Sequence, residues 1–184
     1  MSKKRVLLDE GLLGVVIKRL CLQLSENYYP FENTVLIGLQ PRGIKLLTAI
    51  IDELKNIHPS IEMVHGCVDP TFYRDDFRRG DKQLVAHTTK IPVHLDGKKV
   101  VLVDDVLFTG RTIRAGIEAL LEYGRPEKID LLVLINRKFS RELPIEPLMI
   151  GKSVDHYDGQ KVRVVWKSEK EKESQVLLQQ ENNG

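Results

Sequence analysis

KVVLVDDVLFTGRTIRAGIEALLEYGRPEKIDLLVLI, residues 99–135, is the stretch from which the fold can be read. It begins with the continuous apolar run Lys99–Val103, of strand length. It continues through two aspartates into Thr109-Gly110-Arg111-Thr112. The segment Arg111–Tyr123 then has Ile113, Ile117, Leu120 and Leu121 at helical spacing, with Gly124 and Pro126 as stop signals. Ile129–Ile135 is a second fully apolar run. Strand, helix, strand in this order predicts parallel strands joined by a right-handed crossover, hence an α/β fold.

The pattern extends upstream. Leu13, Val16, Ile17, Leu20 and Leu24 make residues 10–27 an amphipathic helix. Thr34–Leu39 reads as a strand, Ile44, Leu47, Ile51 and Leu54 mark another helix, and Ile61–Val68 reads as a strand. Residues 70–82 are polar and aperiodic, a loop. Gln83–His87 and Ile91–Leu95 are expected to pair as a hairpin. Lys161–Trp166 alternates like a half-exposed strand. The domain is expected to span residues 1–166, with 167–184 a charged, partly disordered tail.

With 184 residues, 42% of them apolar, the chain can bury one core, and it has no apolar run of membrane-spanning length. The basic start MSKKRVLLDEG is broken by Asp9 and Glu10, so it reads as neither signal nor transit peptide, and a cytoplasmic location is expected. Cys21 and Cys67 sit among apolar residues and suggest core positions. His58, His65, His87, His94 and His156 have no ligand spacing. A net charge of +2 does not by itself argue for nucleic acid.

The turn at 104–112 carries the chemistry. In an open parallel sheet, ligands bind outside the carboxyl ends of the strands. Gly110 would let the backbone approach a ligand, and Thr109 would cap the helix. The free amides of the first helical turn would then meet a phosphate, aided by the helix dipole. Asp104 and Asp105, leaving the strand end, would accept hydrogen bonds from vicinal hydroxyls. Together these features suit a sugar phosphate. D-D-x-x-x-T-G-x-T arises by chance in roughly one chain of this length in 10⁴. The stretch Gly38–Lys45 (GLQPRGIK) imitates a nucleotide-binding P-loop, but its lysine is displaced by one and no Ser or Thr follows.

Residues 100–112 resemble the phosphoribosyl pyrophosphate signature of type I phosphoribosyltransferases. QPRGIKLL (40–47), FYRDDFRRGD (72–81), VLFTGRTIRAGIEALLEYGRP (106–126), RELPIEP (141–147) and IGKSV (150–154) further resemble the PyrR family. Those proteins regulate pyrimidine operons and have uracil phosphoribosyltransferase activity. The likeness runs from about Leu8 to Val154. It implies a mostly parallel sheet flanked by helices, with a small hood built from the chain ends. It also implies that phosphoribosyl pyrophosphate is held by Arg42 and Gly43 together with Asp104, Asp105, Val106, Leu107, Phe108, Thr109, Gly110, Arg111 and Thr112. Pro41-Arg42-Gly43 would be the pyrophosphate loop, and Tyr73-Arg74-Asp75-Asp76 part of a flexible loop closing over the site. Asp104, Asp105 and Arg74 would be catalytic, while Asn136, Arg137 and Val154 would border the base. Mg²⁺ would travel with the pyrophosphate and need no protein cage. Uracil, UMP and UTP are the implied small ligands.

For the regulatory role the resemblance implies pyrimidine-leader messenger RNA, with Lys18, Arg19, Arg141 and Lys152 as basic candidates, and a homodimer or larger assembly. Arg78, Arg79 and Lys82 add charge to the flexible loop. Two positions depart from the family. Pro70 replaces an apolar residue, removing a donor at the loop base. Asn136 stands where the family has aspartate; an absent charge there is expected to slow uracil transfer by about ten- to a hundredfold. Three readings stay open: enzyme and regulator, regulator with weak or lost catalysis, or a transferase for another base.

Overall fold

The computed structural model describes residues 4–75, 86–155, 160–168 and 170–180. Its main sheet has five strands: β2 (Thr34–Leu39), β3 (Val64–Val68), β4 (Lys99–Leu107), β5 (Lys128–Lys138) and β6 (Met149–Asp155). All neighbours run parallel, in the spatial order β3-β2-β4-β5-β6. The chain moves from β2 outward to β3, then returns to place β4 on the other side of β2. The switch point between β2 and β4 is therefore where the fold offers a crevice.

Three helices cover the sheet: α1 (Glu10–Tyr28), α2 (Gly43–Ile57) and α3 (Arg111–Leu121). Alternation along β4 divides the core. Val101 and Val103 pack with Leu20, Leu24, Ile50 and Leu54 of α1 and α2, whereas Val100 and Leu102 pack with Ile113 and Leu120 of α3. Strands buried on both faces are continuously apolar, which is why β2, β4 and β5 are so plain in the sequence. Asp9 caps α1 by accepting from the Leu12 amide at 2.8 Å. Cys21 lies in the core, where burial pushes its thiol up to about 12. Among the described residues no helix is long and apolar enough to cross a membrane.

A second, antiparallel sheet joins β1 (Lys4–Leu8), β8 (Gln175–Gln180) and β7 (Gln160–Val165), with β8 in the centre. This is the expected hood, but it corrects the reading of the tail. Gln175–Gln180 is a paired strand with Val176 fully buried, while residues 181–184 lie outside the described residues. The expected hairpin is not found. Residues 83–85 lie outside the described residues, and Ile91–Leu95 forms no strand. Among the described residues there, Lys90 forms a bridge, exchanging backbone hydrogen bonds with Cys67 at 2.9 Å each way.

Candidate active site at the sheet switch point

β2 ends at Leu39 and the chain turns through Gln40, Pro41 and Arg42 into α2. Gly43 opens that helix against β4: a Cβ there would lie 2.2 Å from the Val103 carbonyl oxygen and 3.0 Å from Asp104 Cα. The sequence suggests a ligand contact for this glycine. The structure instead uses its missing side chain to bring helix and strand together, which sets Arg42 beside the two aspartates.

β4 runs four residues beyond its expected end, so Asp104 and Asp105 belong to the strand rather than to the turn after it. Pairing between β4 and β5 carries the extension, with Asp104 opposite Val133 and Leu107 opposite Asn136. Both carboxyls are consequently buried, at 7% and 4% exposure. Burial pushes both above the usual carboxylate range; the charge of Asp105 adds to the effect on Asp104, and Arg42 opposes it at both. Asp104 Oδ1 accepts from the Asp105 amide at 2.9 Å.

The start of α3 differs from expectation in its cap. Gly110, at φ +91°, is the N-cap, and no side chain caps the helix. Only glycine takes that backbone readily. The Thr109 hydroxyl accepts from the Arg111 amide at a long 3.4 Å, so the first-turn amides have little side-chain competition. The segment Tyr73–Asp75 is laid against this helix start. Arg114 donates to the Tyr73 carbonyl at 3.1 Å, Arg74 to the Thr112 hydroxyl at 3.4 Å, and Arg111 bridges Asp75 and Glu142. Pro70 precedes the 3-10 turn Thr71–Tyr73, and its carbonyl accepts from the Tyr73 amide. Asp76, Arg78, Arg79 and Lys82 lie outside the described residues.

Thr71 and His87 are tied together by a side chain the sequence reading passed over. Buried Asp69 accepts from the Thr71 amide at 3.0 Å, the Thr71 hydroxyl at 2.5 Å and the His87 amide at 2.6 Å. One carboxylate thus joins the turn at Thr71 to the chain at His87.

On the other side of the cleft, the Arg137 guanidinium lies 3.8 Å from the centre of the Phe108 ring and donates to the Gln160 carbonyl at 3.0 Å. Asn136 is buried, and its Oδ1 accepts from Arg141 at 2.7 Å; Arg141 also donates to the Phe108 carbonyl. Burial pulls the Arg141 guanidinium down. Val154 stands opposite Arg137 in the sheet, but its side chain joins the core with α1.

A cleft of about 570 Å³ gathers most of these groups: Arg42, Arg74, Asp104, Asp105, Phe108, Thr112 and Arg137 all line it. Asn136 and Val154 are not among its lining residues. Gln40, Lys161 and Val162 are, and the sequence reading missed all three. Gln40 adjoins the Pro41-Arg42-Gly43 loop, which was a usable signal. Lys161 and Val162 arrive on hood strand β7, which was legible as a strand but carries no local signal of its place at the cleft.

The basic residues expected to bind RNA are separated by the fold. Arg19 donates to the Ile150 and Gly151 carbonyls, at 3.2 and 2.5 Å, and Lys152 Nζ to the Leu7 carbonyl at 3.3 Å. With exposed Lys18 they share the α1–β6 side of the molecule. Arg141 is held elsewhere, by Asn136 and the Phe108 carbonyl.

Comparison with known proteins agrees with this fold. Residues 6–169 match the phosphoribosyl transferase domain family. The chain is 40% identical over 167 residues to the Bifunctional protein PyrR of Bacillus subtilis (strain 168), covering 89% of this chain and 91% of that one. It is 37% identical over 180 residues to the Bifunctional protein PyrR of Caldicellulosiruptor bescii, covering 98% and 97%. Among solved structures it resembles a hypoxanthine-guanine phosphoribosyltransferase of Bacillus anthracis, with a TM-score of 0.70 at 16% identity over 98% and 99% of the two chains. A hypoxanthine phosphoribosyltransferase of Staphylococcus aureus gives a TM-score of 0.65 at 20% identity over 82% and 77%. At those identities the solved structures speak for the fold alone. The family follows from the sequence relatives: this chain belongs to the phosphoribosyltransferase family, among the bifunctional PyrR proteins.

Proposed function

We propose that the protein transfers the phosphoribosyl group of phosphoribosyl pyrophosphate to uracil, giving UMP and pyrophosphate. One observation carries the reading: two buried carboxylates, an uncapped helix start and three arginines converge on a single cleft. The amides of Gly110–Thr112 take the 5′-phosphate. Asp104 and Asp105 accept from the ribose hydroxyls, and Arg42 and Arg74 meet the pyrophosphate. A uracil nitrogen attacks C1 as the C1–oxygen bond to pyrophosphate breaks, and the nitrogen's proton is lost to solvent. Positive charge developing on the ribose is favoured by the adjacent carboxylates.

Among the described residues no three His, Cys, Asp or Glu side chains gather as a metal cage. A pair of buried carboxylates is nevertheless a fitting donor set for Mg²⁺ shared with substrate oxygens and water. When bound, Mg²⁺ neutralises pyrophosphate charge; Asp104 and Asp105 are the residues that would hold it.

Calorimetry with phosphoribosyl pyrophosphate, followed by turnover with each nucleobase, tests the proposal. Asp105→Asn should cost about 1.5–3 kcal/mol of binding, one charged hydrogen-bond partner. Unchanged affinity would remove the central claim, and turnover with a purine in preference to uracil would replace the base.

The shared placement of Lys18, Arg19 and Lys152 favours a second role, binding pyrimidine-leader messenger RNA by a cytoplasmic homodimer or larger assembly. That binding should weaken steeply with salt. Equal affinity for a leader hairpin and random RNA in a filter-binding titration would refute it.

A further inference from the structure

A second cleft, of about 260 Å³, adjoins the first. Pro41, Arg42 and Asp105 line both, so the pyrophosphate loop forms the partition between them. The far wall consists of Lys45, in the first turn of α2, and of Arg163, Val164 and Trp166 from the hood. Lys45 is the lysine of the stretch that imitates a P-loop, and the transferase site makes no use of it.

Charge decides what this space suits. Arg42, Lys45 and Arg163 meet there against the single acid Asp105. Lys45 is exposed and makes no ion pair among the described residues. Arg163 has one long pair, to Glu171 at 3.6 Å, with both side chains about half exposed. Such a pair holds its charges weakly and leaves the guanidinium available. Three cations around a concavity focus a positive potential, and two of them are planar forks suited to phosphate oxygens. The space far exceeds the roughly 10–15 Å³ that one water needs.

We propose that this second cleft is an anion subsite that receives the leaving pyrophosphate, passed from Arg42 to Lys45 and Arg163. The proposal rests on the transferase reading above, because it takes Arg42 to face pyrophosphate on the catalytic side. Its consequence is kinetic: the product leaves through a positively charged exit rather than back across the bound nucleotide.

The test uses the full-length protein with inorganic pyrophosphate and phosphoribosyl pyrophosphate as separate calorimetric titrants. In the double variant Lys45→Gln, Arg163→Gln, pyrophosphate affinity should fall about tenfold at low salt, as expected for two exposed cation contacts. Affinity for phosphoribosyl pyrophosphate should fall less than half as much on a logarithmic scale. The charge-conserving Lys45→Arg, Arg163→Lys should recover most of the loss. Thermal melts confirm folding, and if the double variant is unstable, the single variants should each show about a threefold loss. Pyrophosphate affinity within twofold of the native protein overturns the proposal. So does an equal fall for both titrants, which would mark a general field rather than a subsite. If the native protein fails to bind phosphoribosyl pyrophosphate but binds pyrophosphate in a Lys45- and Arg163-dependent way, the subsite stands and the transferase reading falls.

Discussion

Replacing Asp104 by asparagine should make the protein more stable and a poorer binder of phosphoribosyl pyrophosphate. The carboxyl is 7% exposed, and burial together with Asp105 disfavours its charged form. Asparagine keeps the oxygen that accepts from the Asp105 amide at 2.9 Å, so the local backbone is undisturbed. The variant loses the charge itself. Carboxylates on adjacent strand residues stand roughly 6–7 Å apart, and at an effective dielectric of about 20 their repulsion is ~2–3 kcal/mol. Arg42 offsets part of this, leaving a gain of about 1–2 kcal/mol, or ~2–8 °C in Tm for a chain of this size. The pH dependence follows from the direction of the shift. A carboxyl raised on folding binds its proton more tightly in the native state, so stability is highest in acid. It declines as pH rises from the ordinary aspartate range through the raised folded value. Asp104→Asn should flatten that decline. Scanning calorimetry between pH 4 and 8 reads both effects, and titration with phosphoribosyl pyrophosphate reads the functional loss. A variant less stable than the native protein at neutral pH, or one with the same pH slope, would refute the reasoning.

Gly43→Ala sets a methyl group 2.2 Å from a strand carbonyl that cannot move aside. It should cost about 3 kcal/mol or more, seen as a lower urea midpoint. Asn136→Asp places its new charge against Arg141, 2.7 Å from the present oxygen, where the two charges largely cancel. Its kcat with uracil should therefore rise by less than about tenfold, and a larger rise in steady-state assays would show that the charge acts on the ribose directly. Phe108→Ala removes the ring on which Arg137 lies and should raise the KM for the base more than that for phosphoribosyl pyrophosphate.

How far the sequence could be read depended on whether an element's partners were implied by its own pattern. β2, β4 and β5 are apolar on both faces, so Thr34–Leu39 was legible to the residue. The helices declared themselves by their period. The hood did not, because KRVLL finds its pairing partner, QVLLQQ, only across nearly the whole length of the chain. The end of β4 was misjudged for a related reason. Aspartates are poor strand residues, and Asp104-Asp105 looks like a stop until β5 is seen to hold them in register. The strand–turn–helix unit around Asp104–Thr112 could be found because it is contiguous. Lys161 and Arg163 were not found because only the pairing of β7 with β8 brings them to the clefts.

Position 136 shows what a departure from a family pattern can and cannot tell. Read alone, asparagine in place of aspartate is a missing charge beside the reacting sugar. In the fold, its oxygen faces a guanidinium that also holds the Phe108 carbonyl, so the residue joins β5 to the turn after β4. Asparagine preserves that join because it needs only an acceptor. What it changes is the charge left on the base side, where Arg137 and Lys161 line the cleft and Arg141 now lacks a carboxylate partner at position 136. A base presenting carbonyl oxygens and an acidic N–H gains from such surroundings, since the cations favour loss of its proton. The substitution thus keeps the join to Arg141 and leaves the cations of the cleft without an opposing carboxylate at position 136.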